Sequence, residues 1–340
     1  MRRRDTAKQA CGKANPCYLA SMLPQAGKET KKVKTQAIKR KNPLHAGKEE
    51  LLFDIVNYTL MFAALAIILY PLLYIVGASF SEPSKVASGE MWLLPKGFTL
   101  EGYARLFKYG EIWMGYSNTV FYTVAGTIIN LAVTLPCAYA LSRKDFVGRT
   151  FLSIMFMITM FFSGGLVPAY LIIKQLNLLD TRTILLIGGA TAAYNLFIAR
   201  SFFATTIPYE LQEAGRLDGC SNWKLFTRIV LPLSTPIIAV LAMFFGVGHW
   251  NSYFGAMIYL KDRSLYPLQL ILREILIQSK VAAEMAMTDA DLVESLAAKA
   301  RISELIKYTS IIVSTVPMLA LYIFFQRYFV QGVMLGAVKS

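Results

Sequence analysis

Charge is scarce in this sequence. Only 16% of its 340 residues are Asp, Glu, Lys or Arg, against about a quarter in soluble globular domains. Histidine is nearly absent, with His45 and His249 alone, which excludes a His-rich metal centre. The four cysteines, Cys11, Cys17, Cys137 and Cys220, have neither metal-ligand spacing nor the pattern of an extracellular disulfide framework. There is no G-x-x-x-x-G-K-S/T phosphate loop, so the chain lacks the usual cradle for ATP. The glycine pairs Gly164-Gly165 and Gly188-Gly189 lie in apolar runs, where small residues let helices approach closely. No stretch alternates long enough to build a soluble sheet domain.

What is abundant is apolar sequence, at 55% of residues, and it is clustered. Uncharged runs cover 55–80, 116–142, 150–173, 183–199, 229–260 (with one His) and 308–326. A bilayer core takes about 20 apolar residues in helical form. The expectation is an all-α integral membrane protein with six transmembrane helices, near 55–80, 116–142, 150–173, 183–203, 234–260 and 308–326. In the fourth, Arg200 would snorkel to the interface. The first run is too long for a signal-peptide core and lacks a small-residue cleavage site, so it should remain in the mature protein.

The net charge of +14 is concentrated in the tail before Leu51, where thirteen Lys or Arg face four acids. Basic residues beside a first span are the positive-inside signal, which favours a membrane over a nucleic-acid partner. Residues 1–50 read as a disordered cytoplasmic tail, with Met22 an alternative start, and 51–340 as the transmembrane domain. Six spans would leave both termini in the cytoplasm. The connection of Arg143, Lys144, Asp145 and Arg149 then faces inward, while 81–115 and 261–307 lie outside. Within the latter, Leu268, Leu270, Ile271, Ile275 and Leu276 recur near helical spacing, and 289–305 is a polar helix candidate.

The connection between spans four and five, 207–232, is the most informative segment. Pro208 can open a helix, and Glu210 in its first turn suits the dipole. Ala214 and Gly215 leave a bare face for a close partner, and Asp218-Gly219 signals a turn. Ser221 or Asn222 can cap a second helix carrying Trp223, Phe226 and Val230, which Leu231-Pro232 then breaks. Glu213, Ala214 and Gly215, followed by Gly219 and then Ile229, Leu231 and Pro232, resemble the signature loop of ABC importer permeases at matching intervals. Gly215 stands where the family pattern has a second Ala. The segments Phe162 to Ile172, Arg263 to Ile277 and Arg327 to Ser340 are similar to the maltose-G-like branch of carbohydrate permeases, particularly oligosaccharide members of Gram-positive bacteria.

The resemblance implies a subunit of the bacterial plasma membrane with no cofactor and no catalysis of its own. It implies a second permease subunit, an ABC ATPase dimer that uses ATP and Mg at the cytoplasmic face, and an extracellular solute-binding protein. Glu213, Ala214, Gly215, Asp218, Gly219, Ile229, Leu231 and Pro232 would form the coupling helix and its exit, seated on the ATPase. The other reading is an ion- or proton-coupled carrier acting alone, which usually shows intramembrane charges. Candidates for a substrate path are Trp250, Asn251, Tyr253, His249, Asn118 and Tyr170. His249 is equally readable as an interhelical hydrogen bonder, and the aromatic residues as interface anchors. Because the spans offer only His249 and interfacial Arg200 as cations, a neutral or near-neutral oligosaccharide is the expected substrate, rather than an amino acid, metal or polyanion.

Overall fold

The computed structural model describes residues 48–286 and 305–326. The tail before Lys48, the polar helix candidate up to residue 304, and the closing segment from Arg327 lie outside the described residues. The chain divides into two compact units. One joins the first helix as far as Leu72 to Glu210–Leu225; the other comprises Leu73–Tyr209 and the chain from Phe226 onward.

The described residues are helical and contain no strand. In chain order they form α1 (Lys48–Ser79), α2 (Pro83–Ala87), α3 (Glu101–Lys108), α4 (Gly110–Ser142), α5 (Arg149–Phe161), α6 (Leu166–Gln175), α7 (Arg182–Ile187) and α8 (Ala193–Thr206). There follow α9 (Tyr209–Leu217), α10 (Asn222–Leu225), a π-helical turn (Phe226–Val230), α11 (Leu231–Leu233) and α12 (Thr235–Trp250). The series ends with α13 (Phe254–Tyr259), a 3-10 turn (Arg263–Leu265), α14 (Leu268–Ala286) and α15 (Leu305–Gln326). Three of these, α1 from Leu51, α4 and α15, are each long and apolar enough to cross a membrane. Two bent pairs bring the number to five if each counts as one span.

The difference from six uninterrupted spans has local causes. The run 150–173 is bent by 116° between α5 and α6, where Gly165 adopts φ 87° and ψ 171°, a region essentially reserved for glycine. The run 183–203 breaks after Ile187 at Gly188-Gly189. Asn130 Nδ2 donates to the Gly189 carbonyl at 3.1 Å, which satisfies a backbone group that a break in an apolar setting would otherwise leave bare. The run 234–260 stops at Trp250 and resumes as α13. At its other end, the Asn222–Leu233 stretch meets α12 at 82°.

In the second unit α4 is the hub, against which α12, α8, α14 and α7 pack. Its buried face includes Asn118, Thr119, Tyr122, Thr123, Gly126, Asn130 and Thr134, at helical spacings of three and four. One core cluster centres on Leu106, Ile112, Trp250, Leu268 and Ile271, with Tyr116 against it. A second holds the end of α1 through Ala78, Met91 and Tyr308. By contrast the large apolar side chains earlier in α1 are exposed, Phe62 at 72% and Ile67 at 73%. So long an apolar surface is stable only against lipid or a partner.

Candidate functional site

The expected coupling segment folds as two short helices around a tight turn. Gly219 lies at φ +74° and closes α9 in a Schellman arrangement. The Cys220 amide donates to the Gly215 carbonyl at 2.9 Å and the Gly219 amide to Arg216 at 3.0 Å. Ser221 caps α10, its Oγ accepting from the Lys224 amide at 3.3 Å. Gly215 is buried, and a Cβ there would stand 2.6 Å from Leu225 Cδ1. This accounts for glycine where the family pattern has alanine: the Leu225 side chain occupies the space. Glu210, Glu213, Ala214, Leu217 and Asp218 are exposed, at the spacing of one helix face. Leu217 is 89% exposed and Trp223 65%, an unusual exposure of large apolar groups next to acids.

The exit from this segment is a π-helical turn, Phe226–Val230. Pro232 supplies the reason: it has no N–H to donate, and its ring collides with the carbonyl four residues back unless the helix widens. Ile229 and Leu231 are half-buried, and Pro232 is exposed. Ser234, fully buried, returns its hydroxyl to the Val230 carbonyl at 2.7 Å.

The residues considered for a substrate path separate into different settings. Trp250 is buried, its indole N–H donating to the Ser314 carbonyl at 2.9 Å and its ring edge-on to Tyr116. It fastens α12 to α15 and α4. His249 lies against Gly126, where a Cβ would come within 2.4 Å of Nε2. That nitrogen is buried without a hydrogen-bond partner among the described residues. Asn118 donates to the carbonyls of Ser264 (2.7 Å) and Tyr266 (3.1 Å) and accepts from Arg182 at 3.3 Å. Asn251 is exposed, Tyr253 lies beneath the Arg273 guanidinium at 5.2 Å, and Tyr170 stacks on Tyr259.

Sequence reasoning missed how 259–268 is held. Tyr122 donates to the Leu265 carbonyl at 2.8 Å, and Thr119 accepts from the Leu268 amide at 2.8 Å. Asp180 accepts from the amides of Lys261 and Asp262 at 2.8 and 2.9 Å. Those two donors, the Asp262 amide first, hold its carboxyl below the usual carboxylate range. Asp180 holds a left-handed conformation, φ 58°, which Asp tolerates better than most residues, and no residue pattern announced it.

Residues 112–335 match the model of the family described as binding-protein-dependent transport system inner membrane component. The chain belongs to this family. It is 36% identical over 297 residues to protein LplC of Bacillus subtilis (strain 168), covering 87% of this chain and 98% of that one. It is 37% identical over 291 residues to the polygalacturonan/rhamnogalacturonan transport system permease protein YtcP of the same organism, covering 85% and 99%. Among solved structures it superposes with TM-score 0.74 and 30% identity on a chain of a bacterial ABC transporter involved in the import of the acidic polysaccharide alginate. That match covers 83% of this chain and 98% of the other. The protein is therefore a membrane component of a binding-protein-dependent transport system, with the ABC permease fold and with helices and no strand among its described residues. This family works with separate subunits, which favours the importer reading over a carrier acting alone.

Proposed function

We propose that the chain is the permease subunit of an ATP-driven oligosaccharide importer of the bacterial plasma membrane, and that α9 is its coupling helix. The observation that carries this is the exposed face of α9. Glu213, Ala214, Leu217 and Asp218 stand out from a helix whose end is fixed by Gly219 and Ser221. An acidic and apolar patch on so short a helix suits a groove in a basic, larger partner. An ABC ATPase dimer binding ATP and Mg fills that role. A second permease subunit would complete the pathway, and an extracellular solute-binding protein would deliver substrate. The sugar class is supported by relatives whose names carry polygalacturonan, rhamnogalacturonan and alginate. ATP closure would draw the coupling helices together and rock the spans between inward- and outward-facing states. Both termini and 207–232 would be cytoplasmic.

Glu213→Ala tests the coupling role. Removing one member of an interfacial charge pair typically costs about 2–5 kcal/mol. The variant should insert normally yet lose ATP-driven uptake in cells carrying the full importer. Unchanged uptake would exclude Glu213 from the coupling contact.

A further inference from the structure

In the second unit, contacts tie α6, the turn before α7 and α14 to α13 and the residues flanking it. Asp180, just before α7, takes the amides of Lys261 and Asp262, and its own amide donates to the Tyr259 carbonyl at 2.8 Å. Tyr170 of α6 stacks on Tyr259 of α13, centroids 6.3 Å apart and planes 15° apart. Arg273 of α14 reaches back to Met257 Sδ at 2.7 Å and over the Tyr253 ring. Arg182 lies 5.4 Å over the Phe121 ring.

The carboxylates in this region are already engaged. Asp180 serves two backbone amides, and Asp262 accepts from the Ser264 amide and hydroxyl at 2.8 and 2.7 Å. Glu111 and Glu274 both take Arg263, at 3.0 and 2.9 Å. Among the described residues, Lys174, Arg182, Lys261 and Arg273 form no ion pair with a carboxylate. The two guanidinium groups rest instead on ring faces and neutral acceptors. A guanidinium stacked on an aromatic ring keeps edge N–H groups available, in the planar fork that fits a carboxylate.

We infer that this convergence is a carboxylate-reading subsite for an oligosaccharide containing uronic acids. It rests on the importer reading above and narrows its substrate class. Arg182 and Arg273 pair with uronate carboxylates, Lys174 and Lys261 add long-range attraction, and the half-buried Tyr170–Tyr259 pair offers ring faces to sugar C–H edges. The neutral or near-neutral substrate expected from the sequence rested on spans that offer only His249 and interfacial Arg200. The fold supplies two guanidinium groups from outside the uncharged core of those runs.

The test uses the complete importer, with its partner subunits and binding protein, in proteoliposomes. ATPase stimulation is measured with trigalacturonate, its methyl ester and maltotriose. The wild-type complex should respond to trigalacturonate most strongly, and Arg182→Gln and Arg273→Gln should each lower that response about tenfold at subsaturating sugar. The response to the methyl ester should fall less than the response to trigalacturonate, and each variant should still copurify with its partners. If one variant does not assemble, the other decides. Variants that leave the acid-to-ester ratio unchanged would place selection wholly in the binding protein and overturn the subsite. A wild-type response to maltotriose and not to trigalacturonate overturns the acidic class but leaves the importer standing. No response to any saccharide, in a complex whose basal ATPase is intact, overturns the sugar-import reading itself and the subsite with it.

Discussion

At the scale of residues, two close contacts make the sharpest demands. Gly126 of α4 lets the His249 ring lie directly on the helix, and an added Cβ would be 2.4 to 2.8 Å from three of its ring atoms. Gly126→Ala therefore forces either helix or ring to move, at about 1–3 kcal/mol. Thermal unfolding in detergent should show the loss, and the double variant with His249→Ala should be more stable than the sum of the two singles. Additive effects would mean the contact is not made. Asp180 makes a pH-dependent demand. Its folded pKa is depressed, so its stabilisation is complete above the unfolded value near about 3.9 and is lost as pH falls through the folded value. Asp180→Asn tolerates the left-handed backbone and removes only the charge. The stability difference between wild type and variant should be largest at neutral pH and shrink below about pH 4, followed by chemical unfolding across that range. A difference independent of pH would contradict the assignment.

At the scale of elements, irregular backbone falls where side chains or glycine can support it. The bend between α5 and α6 depends on one of two adjacent glycines. Gly165 has φ 87° and ψ 171°, whereas a Cβ on Gly164 would meet nothing within 4 Å. Gly165→Ala should cost about 1–3 kcal/mol, and Gly164→Ala should be close to neutral, by the same unfolding measurement. Equal effects would show that the bend does not depend on Gly165. The π-helical turn before Pro232 follows the same logic, with Ser234 and Thr235 hydroxyls returning to the Val230 and Pro232 carbonyls. Pro236 has no N–H for the Pro232 carbonyl four residues back, and the Thr235 hydroxyl donates to it instead.

At the scale of the whole molecule, the proposed orientation rests on the basic tail and the proposed coupling role of 207–232 together. Single cysteines placed at Ser88, Gly219 and Leu265, in a background lacking Cys11, Cys17, Cys137 and Cys220, should divide by side in intact cells. An impermeant reagent added outside should reach Ser88→Cys and Leu265→Cys but not Gly219→Cys. External labelling at Gly219→Cys would invert the topology and remove the ATPase contact.

The sequence by itself determined the class of protein, because apolar runs of bilayer length have no other stable setting. It also determined the helix–turn–helix within 207–232. Proline, acidic first turn, Asp-Gly and Ser are local signals that act within a few residues of where they stand. The substrate-path residues were a different matter. Trp250 and Asn118 read from sequence as polar groups in apolar surroundings. Only the fold committed the first to the Ser314 carbonyl and the second to 264 and 266, more than sixty residues away. The breaks at 188–192 and 251–253 were likewise hidden, since hydropathy averages over a window and does not register a released carbonyl caught by Asn130. Which cations, among the described residues, are left without a carboxylate was decided only in three dimensions. Arg182 and Arg273 stand apart in sequence, and packing alone decides whether a guanidinium meets a carboxylate or is left on the face of a ring.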